Sequence, residues 1–206
     1  MSGASFDTKV AAVVVAAGSS SRMPAIKQLL PWKDTTMLGY VIKQLEDAGA
    51  AHVFVVLGAH QKEILNLTDT SNITIIHNDN WSQGMGTSIA KTIIYLRENN
   101  LKFDGLLIAA CDQPLIKLDH YKKLIYSCIN NERIVVSSFG TGRGIPVVFG
   151  KIYFNELSTL TEDVGAKSIV NKHLNRLIQI DAPEAAIDLD TEERYAQYYH
   201  THGIEL

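Results

Sequence analysis

The run Val10-Ala11-Ala12-Val13-Val14-Val15-Ala16-Ala17, closed by Gly18 and followed by Ser19-Ser20-Ser21-Arg22-Met23, decides how the rest of the chain is read. It is continuously apolar, rich in valine, and stops at a glycine, the pattern of a strand buried on both faces of a parallel sheet. Such a strand needs helices above and below it, so helix and strand should alternate downstream. After the polar, serine-rich turn, Met37, Leu38, Val41, Ile42 and Leu45 recur at helical spacing, with Thr36 placed as N-cap and Gly49 just past the end. Strand His52 to Leu57, a short helix near Gln61 to Leu67, strand Ile73 to His77 and a helix from about Thr87 to Asn99 follow. Strand Gly105 to Ala110 and helix Leu118 to Asn130 complete this part. The alternation predicts an α/β protein whose parallel sheet is covered on both faces and binds ligands at the carboxyl ends of its strands.

Beyond Asn130 the order changes. Ile134 to Ser138 and Pro146 to Phe149 read as two strands joined by the turn Gly140-Thr141-Gly142-Arg143-Gly144. Two short helices, a strand near Leu177 to Asp181 and a terminal helix from Thr191 follow. No repeat and no linker divides the 206 residues, so one domain spanning residues 1–206 is expected.

Composition sets the limits. Hydrophobic residues make up 46% and charged residues 20%, with only 5 prolines, which is the balance of a globule. A net charge of -3 and a pI near 6.1 give no reason to expect a nucleic-acid or membrane partner, and a small anionic ligand would need a local positive site. Cys111 and Cys128 lie in apolar surroundings without C-x-x-C spacing, and Met1 to Val10 lacks a charged and then apolar leader, so a cytoplasmic location is expected. The longest apolar run, Val10 to Ala17, is well short of the roughly 20 residues that span a bilayer.

Three motifs could carry chemistry. In Ala16-Ala17-Gly18-Ser19-Ser20-Ser21-Arg22-Met23, continuing to Lys27 and Leu29-Leu30-Pro31, small residues at a strand end let backbone N–H groups converge on phosphates that Arg22 and Lys27 would neutralise. A mobile polar loop with two solvated cations reads equally well from composition. The loop is not a Walker A motif, since no second glycine precedes a Lys-Ser or Lys-Thr pair. Asp112-Gln113-Pro114 follows the strand Gly105 to Ala110, where an aspartate can hold Mg²⁺ against nucleotide phosphates or simply start a turn. In Asp188-Leu189-Asp190-Thr191, alternation along a short strand would put both carboxylates on one face for a hard cation, while helix capping by Asp190 or Thr191 is the plainer alternative. The seven histidines are scattered, Ser19 to Ser21 lack a nearby histidine, and Cys111 has no flanking cation to activate it.

Collectively these motifs resemble the MobA-like nucleotidyltransferases, in the branch containing molybdenum cofactor cytidylyltransferase. The first loop is similar to A-A-G-x-S-x-R-M-G-x-x-K-x-L-L-P, and Asn78 and Trp81 with Gly84-Met85-Gly86-Thr87-Ser88 to N-P-x-W-x-x-G-M-x-x-S. Asp112-Gln113-Pro114 matches D-Q-P, and Gly144, Pro146 and Phe149 match G-x-P-x-x-F. Glu162-Asp163-Val164-Gly165-Ala166-Lys167 is similar to G-D-x-G-A-K, and Asp188-Leu189-Asp190-Thr191 to D-I-D-T-P-E-D. Pro24, Asp79, Glu162 and Glu192-Glu193-Arg194 depart from the family pattern without removing a charge the chemistry needs.

The resemblance implies a Rossmann-like three-layer α/β/α nucleotidyltransferase fold with a mostly parallel mixed sheet, and Mg²⁺-dependent transfer of CMP from CTP to the phosphate of a molybdopterin-type acceptor. It implies catalytic roles for Arg22, Lys27 and Asp112. Nucleotide contacts would come from Ala16, Ala17, Gly18, Ser19, Arg22 and Lys27 on one side, and from Asn78, Gly84, Met85 and Asp112 on the other. Asp112 and Asp190 would hold the metal, with Asp188 as a neighbour. The Gly142 to Pro146 turn and the Asp163 to Lys167 segment are the expected acceptor positions, and a molybdenum hydroxylase or its chaperone is the candidate recipient. GMP transfer, a different phosphorylated acceptor, or a non-catalytic cofactor carrier are the competing readings.

Overall fold

In the computed structural model, which describes residues 8–128, 132–161 and 165–204, every residue of the first strand is buried and successive side chains enter two different cores. Val10, Ala12 and Val14 join one core, and Ala11, Val13 and Val15 the other, as the two-residue period of a strand demands. The chain runs β1 (Val10–Val15), a small hairpin β2 (Pro31–Trp32) and β3 (Thr35–Thr36), α1 (Met37–Asp47), β4 (Val53–Leu57), α2 (Gln61–Leu67) and β5 (Ile73–His77). It continues through α3 (Met85–Glu98), β6 (Gly105–Ala110), α4 (Leu118–Ser127), β7 (Ile134–Phe139), β8 (Gly142–Gly150), α5 (Phe154–Leu157), α6 (Lys167–Lys172), β9 (Leu177–Asp181) and α7 (Glu192–Tyr198), which passes into a π-helical turn at Tyr199–Gly203.

The main sheet has seven strands in the order β5-β4-β1-β6-β8-β7-β9. All neighbours are parallel except β8, which is antiparallel to both β6 and β7. Leu38, Val41, Leu45, Ile64, Tyr121 and Leu124 put α1, α2 and α4 on one face. Ile89, Ile93, Leu157, Ile169 and Val170 put α3, α5 and α6 on the other. This is the three-layer α/β/α arrangement with a mostly parallel mixed sheet that the alternation and the resemblance imply. Among the described residues no helix is long and apolar enough to cross a membrane.

Local signals explain most boundaries. Thr36 accepts the Gly39 N–H on Oγ1 at 3.1 Å and so caps α1, whose buried residues Met37, Leu38, Val41, Ile42 and Leu45 are those of the helical pattern. α3 starts at Met85 rather than at Thr87, because Gly84 takes φ +115 and lets the chain turn directly into the helix. The expected five-residue turn is also shorter than its composition suggests. Only Gly140 and Thr141 turn, and Gly142, Arg143 and Gly144 already pair with Phe139, Ser138 and Ser137 in β8. The register then shifts, Val147 pairing with Val136, so Ile145 and Pro146 form a bulge. α4 ends at Ser127, Cys128 having already left the helix, and the rest of its expected continuation to Asn130 lies outside the described residues, as do Glu162, Asp163, Val164 and most of the segment Met1 to Val10.

Candidate functional site

β1 and β6 are adjacent, with Val15 opposite Ala110, so the loop after Ala16 and the Cys111-Asp112 step leave the sheet side by side at its carboxyl edge. The first loop is held by a residue that the sequence motifs leave unassigned. Gln28, with none of its surface exposed, donates from Nε2 to the carbonyls of Ala16 at 2.8 Å and Gly18 at 3.0 Å. Its Oε1 accepts the Ser20 hydroxyl at 3.1 Å, and Ser20 Oγ accepts the Lys27 N–H at 3.1 Å. Ser20 sits at φ 55, and its carbonyl accepts the Met23 N–H at 2.8 Å. One buried amide thus fixes the path of the loop from the strand end to Lys27, while Pro24 lies exposed on the outside.

That path delivers Lys27 to two carboxylates. Its Nζ is 2.6 Å from Asp112 Oδ2 and 2.8 Å from Asp190 Oδ1, and Arg22 reaches Asp190 Oδ2 at 2.9 Å. Lys27 and Asp112 are each 16% exposed at the side chain, whereas Arg22 is 71% exposed, so the inner pair is sheltered and the outer one screened by water. Burial alone would lower the Lys27 pKa, but the Asp112 charge and the hydrogen bonds to both carboxylates more than offset it and keep the group above its ordinary value. Burial likewise opposes the Asp190 charge, and the Lys27 bond with the charges of Lys27 and Arg22 brings its pKa below the ordinary range. For Asp188, burial and the Asp112 charge act together and raise it. Burial and Asp112 also push the Cys111 thiol up to about 12, so Cys111 is an inert wall residue even with Lys27 nearby.

Asp190 arrives on a segment that is extended but belongs to neither sheet, a correction to the short strand expected over Asp188 to Asp190. The Leu189 N–H bonds the Asp112 carbonyl at 2.9 Å, and the Leu189 side chain is buried in a cluster with Trp32 and Met37. Asp188 and Asp190 flank this anchor. Thr191 does cap the following helix, its Oγ1 accepting the Arg194 N–H at 3.3 Å. Gln113, also unassigned by the motifs, is buried and donates to Asp188 Oδ1 at 2.9 Å.

The opposite wall comes from the turn before α3. Trp81 packs so closely on Gly58 that a Cβ there would lie 2.4 Å from its ring, which is why a glycine ends β4. Trp81, Gly84 and Met85 line the cleft together with Ala16, Ala17 and Gly18, and Ser19, Arg22, Lys27, Asp112 and Asp190 are also on its wall, in a volume of about 370 Å³. Asn78 is the exception. Expected on the nucleotide, it is buried and absent from the lining, its Nδ2 donating to Thr87 Oγ1 at 2.9 Å and Ser88 Oγ at 3.0 Å. It braces the start of α3 from behind.

A second pocket of about 480 Å³ adjoins the first and shares Met85 with it. Gly142, Arg143 and Gly144 from the hairpin face Gly165, Ala166 and Lys167 across it, so the two segments expected around an acceptor do meet in one cavity. Its floor is apolar, from Ile89, Val136 and Val147, with Arg143 and Lys167 as cations at the rim.

The donor set suits a hard divalent cation. Two carboxylates already converge on one positive charge, the Lys27 ammonium, which stands where such an ion would be held. Among the described residues no three His, Cys, Asp or Glu side chains gather to hold an ion by themselves, so phosphate oxygens and water would complete its shell.

Comparison with known proteins gives the same picture. Molybdenum cofactor cytidylyltransferase of Escherichia coli is 26% identical over 190 residues, covering 89% of this chain and 92% of its own length. A Mycobacterium tuberculosis protein solved in complex with manganese is 25% identical, with a TM-score of 0.75 over 94% of this chain and 100% of its own. A nucleotidyl transferase from Methanothermobacter thermautotrophicus shares the fold at a TM-score of 0.82, with 20% identity over 94% of this chain and 97% of its own. The MobA-like NTP transferase domain matches residues 12–177, a span that holds the first loop, the α3 wall, Asp112 and the hairpin, and the chain therefore belongs to the MobA-like NTP transferase family of nucleotidyltransferases.

Proposed function

We propose that this chain, acting as a single cytoplasmic domain, transfers CMP from CTP to the phosphate of a molybdopterin-type acceptor and releases pyrophosphate. The observation that carries the proposal is the position of Met85, which lines both a cleft bearing Arg22, Lys27, Asp112 and Asp190 and a neighbouring pocket with apolar lining and two cations, Arg143 and Lys167. A phosphorylated, ring-bearing acceptor suits that second pocket, and the 26% identity to a cytidylyltransferase of the molybdenum cofactor supports the choice of donor and acceptor.

In the reaction an acceptor phosphate oxygen forms a bond to the α-phosphorus of CTP while the bridging bond to the β-phosphate breaks, and its electron pair leaves with pyrophosphate. Such transfers depend on positioning and charge neutralisation rather than on a covalent protein nucleophile. Arg22, exposed at the mouth, takes the β- and γ-phosphates. Lys27 leaves the carboxylates for the α-phosphate, where charge accumulates in the transition state. Gly84 and Met85 line the base pocket, and Asn78 keeps them in place through Thr87 and Ser88. Asp112 and Asp190 hold Mg²⁺, which when bound draws charge from the phosphates. A molybdenum hydroxylase or its chaperone is the proposed recipient of the product.

The test is to incubate the protein with Mg²⁺, each nucleoside triphosphate in turn and molybdenum cofactor, and to follow pyrophosphate. Release with CTP that is lost in Asp112→Asn is expected. Preferential use of GTP would sink the cytidylyl assignment, and equal inertness of wild type and Asp112→Asn would favour a cofactor carrier.

A further inference from the structure

We infer that the acidic pair admits a metal–triphosphate complex and excludes the free cation, because Lys27 occupies the metal position until phosphates draw its ammonium away. The inference rests on the nucleotidyltransferase reading and adds to it an order of events.

The geometry leaves little alternative for a bare ion. Lys27 Nζ lies between Asp112 Oδ2 and Asp190 Oδ1, at 2.6 and 2.8 Å, so a cation ligated by both oxygens would overlap the ammonium. Arg22 holds the other oxygen of Asp190 at 2.9 Å, so a second cation already competes for that carboxylate. Displacing Lys27 without a phosphate to receive it would break its two charge-assisted hydrogen bonds and crowd its ammonium, Arg22 and a divalent charge into one cleft. Among the described residues the further carboxylate beside the pair, Asp188, is engaged with Gln113.

A triphosphate changes each of these conditions at once. Gly18, Ser19, Arg22 and Lys27 line the same cleft as Asp112 and Asp190, so phosphates bound there offer Lys27 and Arg22 new anionic partners. They also bring the oxygens that a metal shell needs and that the described side chains do not provide. Metal and nucleotide are therefore positively coupled through one lysine, and by linkage each tightens the other by the same factor.

The experiment uses Mn²⁺ as the probe and measures, by equilibrium ultrafiltration, the ion retained by protein alone, by protein with CTP, and by Lys27→Met without CTP. Wild type alone is expected to retain Mn²⁺ at least about tenfold more weakly than in the presence of CTP, and Lys27→Met alone at least about tenfold more tightly than wild type alone. Equal retention by wild type with and without CTP overturns the inference. So does weak retention by a folded Lys27→Met, since the lysine would then not be what excludes the ion. The comparison of wild type with the variant, both without CTP, decides the role of Lys27, and Lys27→Ala replaces the methionine form if that does not fold. Failure of wild type to retain CTP with or without Mn²⁺ is a separate result, which sinks the cytidylyl reading on which the inference rests.

Discussion

Gln113 and Asp188, 75 positions apart in sequence, are joined by a 2.9 Å hydrogen bond from the glutamine amide to the carboxylate. The same nitrogen also donates to the Ala185 carbonyl at 3.1 Å, so one buried side chain ties the segment bearing Asp190 to the strand end bearing Asp112. Gln113→Met keeps the volume and deletes both bonds. It should cost about 1–3 kcal/mol in urea unfolding, because a buried carbonyl and a half-buried carboxylate lose their donor. It should also weaken retention of Mn²⁺ with CTP, and an unchanged unfolding midpoint would show that the tie contributes nothing.

Gln28 has the corresponding role in the first loop. Gln28→Leu leaves the carbonyls of Ala16 and Gly18 and the hydroxyl of Ser20 without this partner. A loss of about 2–4 kcal/mol is expected from groups so enclosed. CTP affinity, measured by calorimetry at a temperature where the variant is folded, should fall by more than about tenfold, since Lys27 is no longer aimed. A variant that binds CTP as wild type does would mean that the loop finds its path without Gln28.

Gly18 separates binding from stability. Apart from Gly18 and its two chain neighbours, no heavy atom of the described residues lies within 4 Å of the place a Cβ would take there, and the residue lines the cleft. Gly18→Val should therefore change stability by only about 0.5 kcal/mol or less while filling space that phosphates need. Thermal melts indistinguishable from wild type, with no melting shift on addition of CTP and Mg²⁺, are the expected pair of results. A normal CTP-induced shift would place the nucleotide elsewhere.

The carboxylates should leave a signature in acid. Asp190 lies below the ordinary value of 3.8 despite its burial, because Lys27 and Arg22 favour its charge. Its stabilising contribution is complete above that ordinary value and is lost as pH falls through the depressed one, where the unfolded chain binds more protons. Asp188, raised by burial and by Asp112, has the opposite sign, and its ionised form costs stability once pH exceeds its folded value. Melting curves from about pH 3 to 7 should flatten at the acid end in Asp190→Asn. Asp188→Asn should lose no stability at neutral pH. An unchanged acid limb in Asp190→Asn would contradict the assignment.

The periodic and punctuated parts of the chain were legible in its sequence. Val10 to Ala17, the α1 pattern behind Thr36 and the strand ending at Ala110 carry their burial in their own spacing, and each formed where that spacing put it. The convergence of Arg22, Lys27 and Asp112 follows from topology, since the parallel neighbours β1 and β6 end at one edge, whereas Asp190 is brought there by the Leu189 N–H on the Asp112 carbonyl. The glutamines were not legible. A glutamine between Lys27 and Leu29, or between Asp112 and Pro114, looks the same whether it faces water or clamps a backbone, and only distant carbonyls decide. Asn78 misled for the same reason, because its partners Thr87 and Ser88 turn it away from the cleft. Asp188 and Asp190 alternate as a strand would, but any extended segment does so, and Leu189 pairs with a loop carbonyl instead of a neighbouring strand.

The antiparallel course of β8 separates the two pockets in the backbone. Its hairpin tip at Gly140 and Thr141 hangs over the carboxyl edge, while the backbone pairing of β1 with β4 and β6, which frames the first cleft, is made without the tip. Residues 140–145 are thus a splice point. A change in the length or charge of this tip would redraw the second pocket and leave the register of β1 with β4 and β6, and so the frame of the first cleft, intact.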